Sequence, residues 1–305
     1  MRPNPVTVPP ALTAHLNRFF GPAWARGLPD LTARQLHRWR LRPTGAPMHG
    51  TAALVVPVRR PDDTPAVLKI QPVDEETRGE PDALRTWAGH GAVRLLDHDP
   101  ATGALLLEAL DPARTLAGLD ITEALTTTGR LLARLHAHTA PPGLRTLTRA
   151  TRDLTARATR ARLRLRTPRD RDRLADLTAR AREIAPDGGD RLLHWDLHYG
   201  NVLAPPPGAD REPWLAIDPK PLAGHPGFDL LPALRNRWPE AAATGDPRRE
   251  TRRRLDLLTE TAGIDRERAR AWTLVRVLQQ YVWSIEEGAT TLPRVPVTIA
   301  SALTD

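Results

Sequence analysis

Close to residue 110 the hydrophobic pattern of the chain changes its period. Before that point the apolar residues come in short runs bounded by turn formers. TAALVVPVR and PAVLKI are predicted as two strands joined across RRPDDT, whose Pro and Asp residues suit a turn. AVRLLDHDPATGALLLEAL has the form of a hairpin turning at DPATG, and EETRGEPDALRTWAG between them is predicted to be mostly helical, with Pro81 in its first turn or at a kink. Residues 11–20 and 30–39 carry spaced apolar positions suited to short helices or a leading strand. After Asp111 the spacing becomes helical. Leu125, Leu131, Leu132 and Leu135 share one face of ITEALTTTGRLLARLHAHTA, two Arg-rich helices follow, and FDLLPALRNRW, RRRLDLLTETAG and DRERARAWTLVRVLQQYVWSIEEG continue the pattern. Such a chain calls for two cores. The expected fold is α+β, with a small β-rich N-terminal lobe at 1–110 and a larger, mainly helical C-terminal lobe at 111–305, crossing near 108–114.

Composition removes several classes of function. There is no Cys, which excludes disulfides, thiolate metal sites and a cysteine nucleophile. No run of eighteen apolar residues occurs, and the N-terminal stretch lacks the apolar core of a signal peptide. A soluble, cytoplasmic protein without a membrane partner is expected. The formal charge of +8 invites a nucleic-acid reading, but the excess is local: residues 141–186 hold 13 Arg against 5 acids. Those arginines fall at helical spacing, as on a solvated face, and no aromatic residue there could stack on bases, so no nucleic-acid partner is expected. Only Lys69 and Lys220 are lysines. In so Arg-rich a chain a lysine marks a place where a guanidinium does not replace a compact ammonium.

The stretch HWDLHYGNVL sets His194, Asp196 and Asn201 at the spacing H-x-D-L-x-x-x-N. That spacing suits phosphoryl transfer: a carboxylate orients an acceptor hydroxyl, and an amide oxygen a few residues later reaches a metal held against phosphates. Gly200 would let the loop turn sharply before Asn201. Seventeen residues on, Asp218 ends the apolar run WLAI, so a strand delivers a second oxygen ligand suited to magnesium. Lys69 ends VLK in AVLKI and precedes Glu76 and Glu80 on the predicted helix; Glu80 is the favoured partner and Glu76 the alternative. Gly45 and Gly50 in PTGAPMHGTAALVV form either a lid over phosphates, contacting them through backbone N–H groups at 45–51, or a plain hairpin turn.

From about residue 45 to 285 the chain resembles the aminoglycoside phosphotransferase superfamily, most closely its streptomycin 6-phosphotransferase and hydroxyurea phosphotransferase branch. AVLKI, EPDALRTWAGHGAVRLLDHDPATGALLLEAL, LLARLHAH, HWDLHYGNVL and AIDPKPLAGHPGFDLLPALRN carry the resemblance. It implies a protein-kinase-like two-lobed fold, ATP and magnesium as cofactors, and phosphorylation of a hydroxyl on a small, cationic antibiotic of the streptomycin type. Asp196 would be the catalytic base, Asn201 and Asp218 the metal ligands, Lys69 with Glu80 the phosphate clamp, and Glu108, Ala109 and Leu110 the linker against adenine. Asp229, with His194, would brace the catalytic loop. His225 departs from the family pattern, which has Asp in G-D-P there. A cationic acceptor needs acids, for which Asp256, Glu260, Glu286 and Glu287 are candidates, and Trp238, Trp272, Tyr281 and Trp283 could supply flat walls. A monomer or weak dimer is expected. The rival readings are a kinase of hydroxyurea or another small metabolite, a non-catalytic nucleotide-binding protein, and a nucleic-acid binder using the arginines of 141–186.

Overall fold

In the computed structural model, which describes residues 6–304, the chain forms two compact units. One is Met1–Asp111 with Pro205–Arg211; the other is Pro112–Ala204 with Glu212–Asp305. The short excursion 205–211 was not legible in the pattern of the sequence. Arg211 explains it: its Nη2 donates to Gly89 O (2.9 Å), Ala92 O (3.1 Å) and Glu108 Oε1 (2.9 Å), all within the first unit.

The first unit opens with α1 (Pro10–Phe19) and α2 (Pro22–Arg38). The second of these runs through Pro29 and so begins ahead of the 30–39 stretch. Then come β1 (Arg42–Pro43), β2 (Met48–His49), β3 (Leu54–Arg59), β4 (Pro65–Ile70), α3 (Glu80–Trp87), β5 (Leu95–Asp99) and β6 (Ala104–Glu108). The strands form one sheet in the order β1-β3-β4-β6-β5, with β2 also on β3. Leu54, Val56 and Val58 of β3 and Ala66, Leu68 and Ile70 of β4 point into a core shared with Leu12, Leu16, Leu28 and Leu36 of the two leading helices. The helix after β4 is shorter than the sequence suggests. Asp74 Oδ1 accepts from the N–H groups of Glu76 and Thr77 (both 2.9 Å), holding that stretch as a turn, and the helix starts only at Glu80, beside Pro81.

The second unit contains all but the first residue of β7 (Asp111–Thr115), and then α4 (Ile121–Leu135), α5 (Leu147–Ala161), α6 (Pro168–Ile184), β8 (Arg191–Leu193), β9 (Val202–Ala204), β10 (Leu215–Ala216), β11 (Leu222–Gly224), α7 (Leu231–Arg235), α8 (Trp238–Ala243), α9 (Pro247–Ala262), α10 (Arg266–Glu286) and α11 (Arg294–Thr304). α10 runs through its centre, packing on α5, α6, α9 and α11 with Trp272, Val275, Leu278, Val282 and Ile285 buried. α5 and α6 turn most of their arginines outward, as expected. Several pair with acids on the same helix, including Arg180 with Asp176 (3.0 Å) and Arg149 with Asp153 (4.0 Å).

α4 meets α9 closely at Gly129, where an added Cβ would collide with Thr261 Oγ1, itself bonded to Leu257 O (2.6 Å). Gly129→Ala is therefore expected to destabilise the fold by about 1–3 kcal/mol. A lower urea midpoint at unchanged slope would report it.

Two small antiparallel pairings position the loops that matter. β8 pairs with β11 through Leu193 and Leu222, and β9 pairs with β10 through Val202 and Ala216. Loop 194–201 runs from β8 to β9, and loop 217–221 runs from β10 to β11. Each loop is thus held at both ends by a strand bonded to a strand of the other.

Candidate active site

Hydrogen bonds zip the two loops together between those strands. Lys220 N donates to His194 O (3.0 Å), and Ile217 N donates to Asn201 O (2.9 Å). His194 links them through its ring. Nε2 donates to Ile217 O (3.0 Å), which leaves Nδ1 to accept from Asp196 N (3.3 Å). Acceptance at Nδ1 requires the neutral ring, and complete burial, outweighing the nearby Asp229 and Asp196 carboxylates, pushes the His194 pKa below its ordinary value.

Asn201 Nδ2 donates to Asp196 O (2.9 Å), so the amide is oriented with its oxygen facing away from that bond. Asp218 follows Ile217 directly, bringing a carboxylate to the backbone beside Asn201. An amide oxygen and a carboxylate on adjoining backbone are hard donors of the kind magnesium takes, and they fit an ion that completes its shell with water and phosphate oxygens. Among the described residues no group of three or more His, Asp or Glu could hold a metal on its own.

Two residues of these loops lie in left-handed backbone conformation, Trp195 (φ 66°) and Asp218 (φ 57°). For side chains of this size that conformation costs on the order of 1–3 kcal/mol, which the surroundings must offset. Gly200, expected to supply the sharp turn, is not left-handed. It sits close to the His198 ring, from which an added Cβ would stand 3.1 Å. That ring accepts from Gly200 N (3.1 Å), and His225 caps Gly227 N in the same way (3.1 Å). His225 thereby performs the capping that an Asp would perform. Burial, with Arg268 nearby, pushes its pKa down to about 4, so it caps as a neutral ring.

Behind the loop, Asp229 is fully buried. Its Oδ2 accepts from His194 N (2.9 Å) and His136 Nε2 (2.8 Å), and its Oδ1 from Trp195 N (2.7 Å). Burial by itself would raise the Asp229 pKa; the bonds from His136 and His194 outweigh it and hold the carboxyl below its usual range. Trp195 is further held by two guanidinium groups, with Arg145 4.5 Å and Arg276 5.3 Å from its ring centroid, while Arg276 Nη2 donates to Trp195 O (3.1 Å). Sequence reasoning missed His136, Arg145 and Arg276. An arginine in the middle of so apolar a helix as α10 was the available signal for the last.

In the first unit, Lys69 lies on β4 between β3 and β6, opposite Val55 and Leu105. Its Nζ donates to both oxygens of Glu80 (2.7 and 2.8 Å), and Gln71 Nε2 donates to Glu80 Oε2 (2.5 Å). Both charges are buried, and Glu80 gains from its place at the N-terminus of α3. The carboxylate of Glu108 is engaged by Arg94 N (2.7 Å) and Arg211. A ligand of the 108–110 segment would therefore meet mainly backbone. Neither Gly45 nor Gly50 is left-handed; Gly50 begins the turn into β3, its N–H donating to Ala53 O (3.0 Å).

The four acids considered for an acceptor are not gathered in one place. Asp256 pairs with Arg266 (2.6 Å) and shares a shallow cleft with Glu260 at the α9–α10 turn. Glu286 binds Arg157 through Nε (2.9 Å). Glu287 lines a different cleft with Trp238, Trp283, Ser284 and Gln280. Trp272 and Tyr281 are core residues. Lys220 Nζ stands 3.5 Å from Asp196 Oδ2.

Residues 38–288 match the aminoglycoside/hydroxyurea antibiotic resistance kinase family. The chain is similar to streptomycin 6-kinase of Streptomyces glaucescens, 50% identical over 302 residues, 98% of this chain and 97% of that protein. It is equally similar to hydroxyurea phosphotransferase of Kitasatospora aureofaciens, 50% identical over 304 residues, 98% of this chain and 86% of that one. Among solved structures, a choline kinase from Streptococcus pneumoniae shares the fold at a TM-score of 0.55 with 12% identity, covering 91% of this chain and 97% of that chain. The β-rich and helical units are those of a protein-kinase-like fold.

Proposed function

The chain belongs to the aminoglycoside/hydroxyurea antibiotic resistance kinase family, and from that premise we propose that it transfers the γ-phosphoryl group of ATP to a hydroxyl of a streptomycin-type aminoglycoside. It is an ATP-using small-molecule phosphotransferase; the acceptor and the roles of individual residues are our reading. The observation that carries this reading is the pairing of loops 194–201 and 217–221, which makes Asp196, Asn201 and Asp218 neighbours.

In this mechanism Asp196 accepts a hydrogen bond from the acceptor hydroxyl and takes its proton as the new bond to phosphorus forms. Asn201 and Asp218 would hold magnesium, which when bound supplies charge neutralisation at the phosphates. Lys69, kept in place by Glu80, would meet the α and β phosphates, and backbone at 45–51 and 108–110 would meet the triphosphate and the adenine. His194 and Asp229 hold the catalytic loop without touching substrate. Glu287, with Trp238 and Trp283, is the most suitable of the acidic candidates for a cationic acceptor, because the other three are paired or share the separate α9–α10 cleft. No helix among the described residues is long and apolar enough to cross a membrane, and ATP as donor is our reason for assigning the reaction to the cytoplasm.

Equal identity to the hydroxyurea enzyme favours one second reading, in which hydroxyurea is the acceptor. A panel of streptomycin, hydroxyurea and related guanidino compounds, with ATP consumption measured and products identified by mass, separates the two. Streptomycin O-phosphate is expected, with turnover falling roughly 10²-fold or more in Asp218→Ala. Phosphorylation of hydroxyurea alone would decide for the second reading, and transfer to none of the panel would sink both.

A further inference from the structure

Of the 44 basic residues, 42 are Arg, and the two lysines stand in contrasting places. Lys69 is buried and clamped by both oxygens of Glu80. Lys220 stands beside Asp196, its side chain one third exposed and Asp196 likewise partly open. The backbone around Lys220 is unusually constrained. Pro219 precedes it, Pro221 follows it and restricts its backbone to extended conformations, and its N–H is bonded to His194 O two residues before Asp196. β11 begins immediately afterwards, paired with the strand that leads into the catalytic loop. This arrangement fixes the point from which the Lys220 side chain sets out toward Asp196.

We propose that Lys220 is a second catalytic residue: its ammonium contacts the phosphoryl group during transfer and cancels the repulsion between that group and Asp196. The proposal rests on the reading of Asp196 given above. A carboxylate that holds the attacking hydroxyl must lie close to an incoming polyanion, and two like charges at such a separation oppose the approach. The Nζ–Oδ2 separation of 3.5 Å puts the ammonium next to the carboxylate that would hold the hydroxyl, within reach of a phosphoryl oxygen brought to that hydroxyl. The atoms balance without proton transfer by Lys220. The acceptor oxygen bonds to the γ-phosphorus, the bond from that phosphorus to the β–γ bridging oxygen breaks, ADP leaves with the electron pair, and the hydroxyl proton goes to Asp196. A guanidinium is planar and wider than an ammonium, which gives a reason for lysine here in a chain that otherwise uses arginine.

The absence of Cys permits a direct test. In Lys220→Cys the introduced thiol is the sole one, and its thiolate displaces bromide from 2-bromoethylamine, restoring an ammonium on a side chain of the same length. Turnover is expected to fall roughly 10²-fold in Lys220→Cys, with KM for ATP changing little. Aminoethylation of the folded variant should recover about tenfold or more of that loss, whereas iodoacetamide, which leaves a neutral amide, should recover none. Lys220→Met, which keeps the apolar stem, should show the same loss. Turnover within about threefold of the parent in either variant, or equal recovery with iodoacetamide, would overturn the proposal while leaving the phosphotransferase reading intact. No transfer by the parent protein to any acceptor would overturn both.

Discussion

Asp196→Asn is expected to turn over its acceptor roughly 10²- to 10⁴-fold more slowly while binding ATP almost as well as the parent. The substitution keeps the shape of the side chain and removes the proton acceptor. Apart from the ion pair with Lys220, the surrounding contacts should survive it, because they use the backbone of residue 196: its N–H donates to His194 Nδ1, and its carbonyl accepts from Asn201 Nδ2 and His198 N. The loss therefore belongs to kcat, and steady-state kinetics with a separate ATP-binding titration would divide the two quantities. Parent-like turnover in this variant would remove Asp196 from the mechanism.

A loss of a different kind is expected for Asp229→Ala. That carboxylate accepts from two backbone N–H groups and the His136 ring in a site closed to solvent. Truncation leaves three buried donors without an acceptor, and removing one member of such a set costs about 3–5 kcal/mol. The same group imposes a pH dependence whose sign can be worked out. The folded-state pKa of Asp229 lies below that of an unfolded Asp, about 3.9. Its contribution is fully present above that value and disappears as the pH falls through the lower folded value. Urea titrations across this acidic range should find a steeper decline in the parent than in Asp229→Ala. Matching slopes, with similar stability at neutral pH, would contradict the brace.

Much of the site could be read along the chain because its chemistry is local. Asp196 and Asn201 are five residues apart, and Asp218 ends an apolar run. The strands carrying Lys69 were legible from β-branched residues flanking a Pro-Asp turn. The supports of the site were not. His136 bonds to Asp229 from 93 residues away, Arg276 to Trp195 from 81, and Arg211 to Glu108 from 103. Contacts across such separations leave no periodic trace in a single sequence. Gly200 lies within the tight turn Tyr199–Asn201, whereas the left-handed backbone of Trp195 and Asp218 had no signal in the sequence.

By itself the sequence determined the change from strand to helical period near residue 110 and the residue types proposed for the chemistry. Those follow from spacing, from hydrophobic period and from the presence of two lysines among so many arginines. Only the tertiary structure decided that Glu80 holds Lys69, that Lys220 reaches Asp196, and that Trp195 and Asp218 are held left-handed. The reason is energetic: a strained backbone or a buried charge is unfavourable taken alone, and becomes stable only when distant groups close around it.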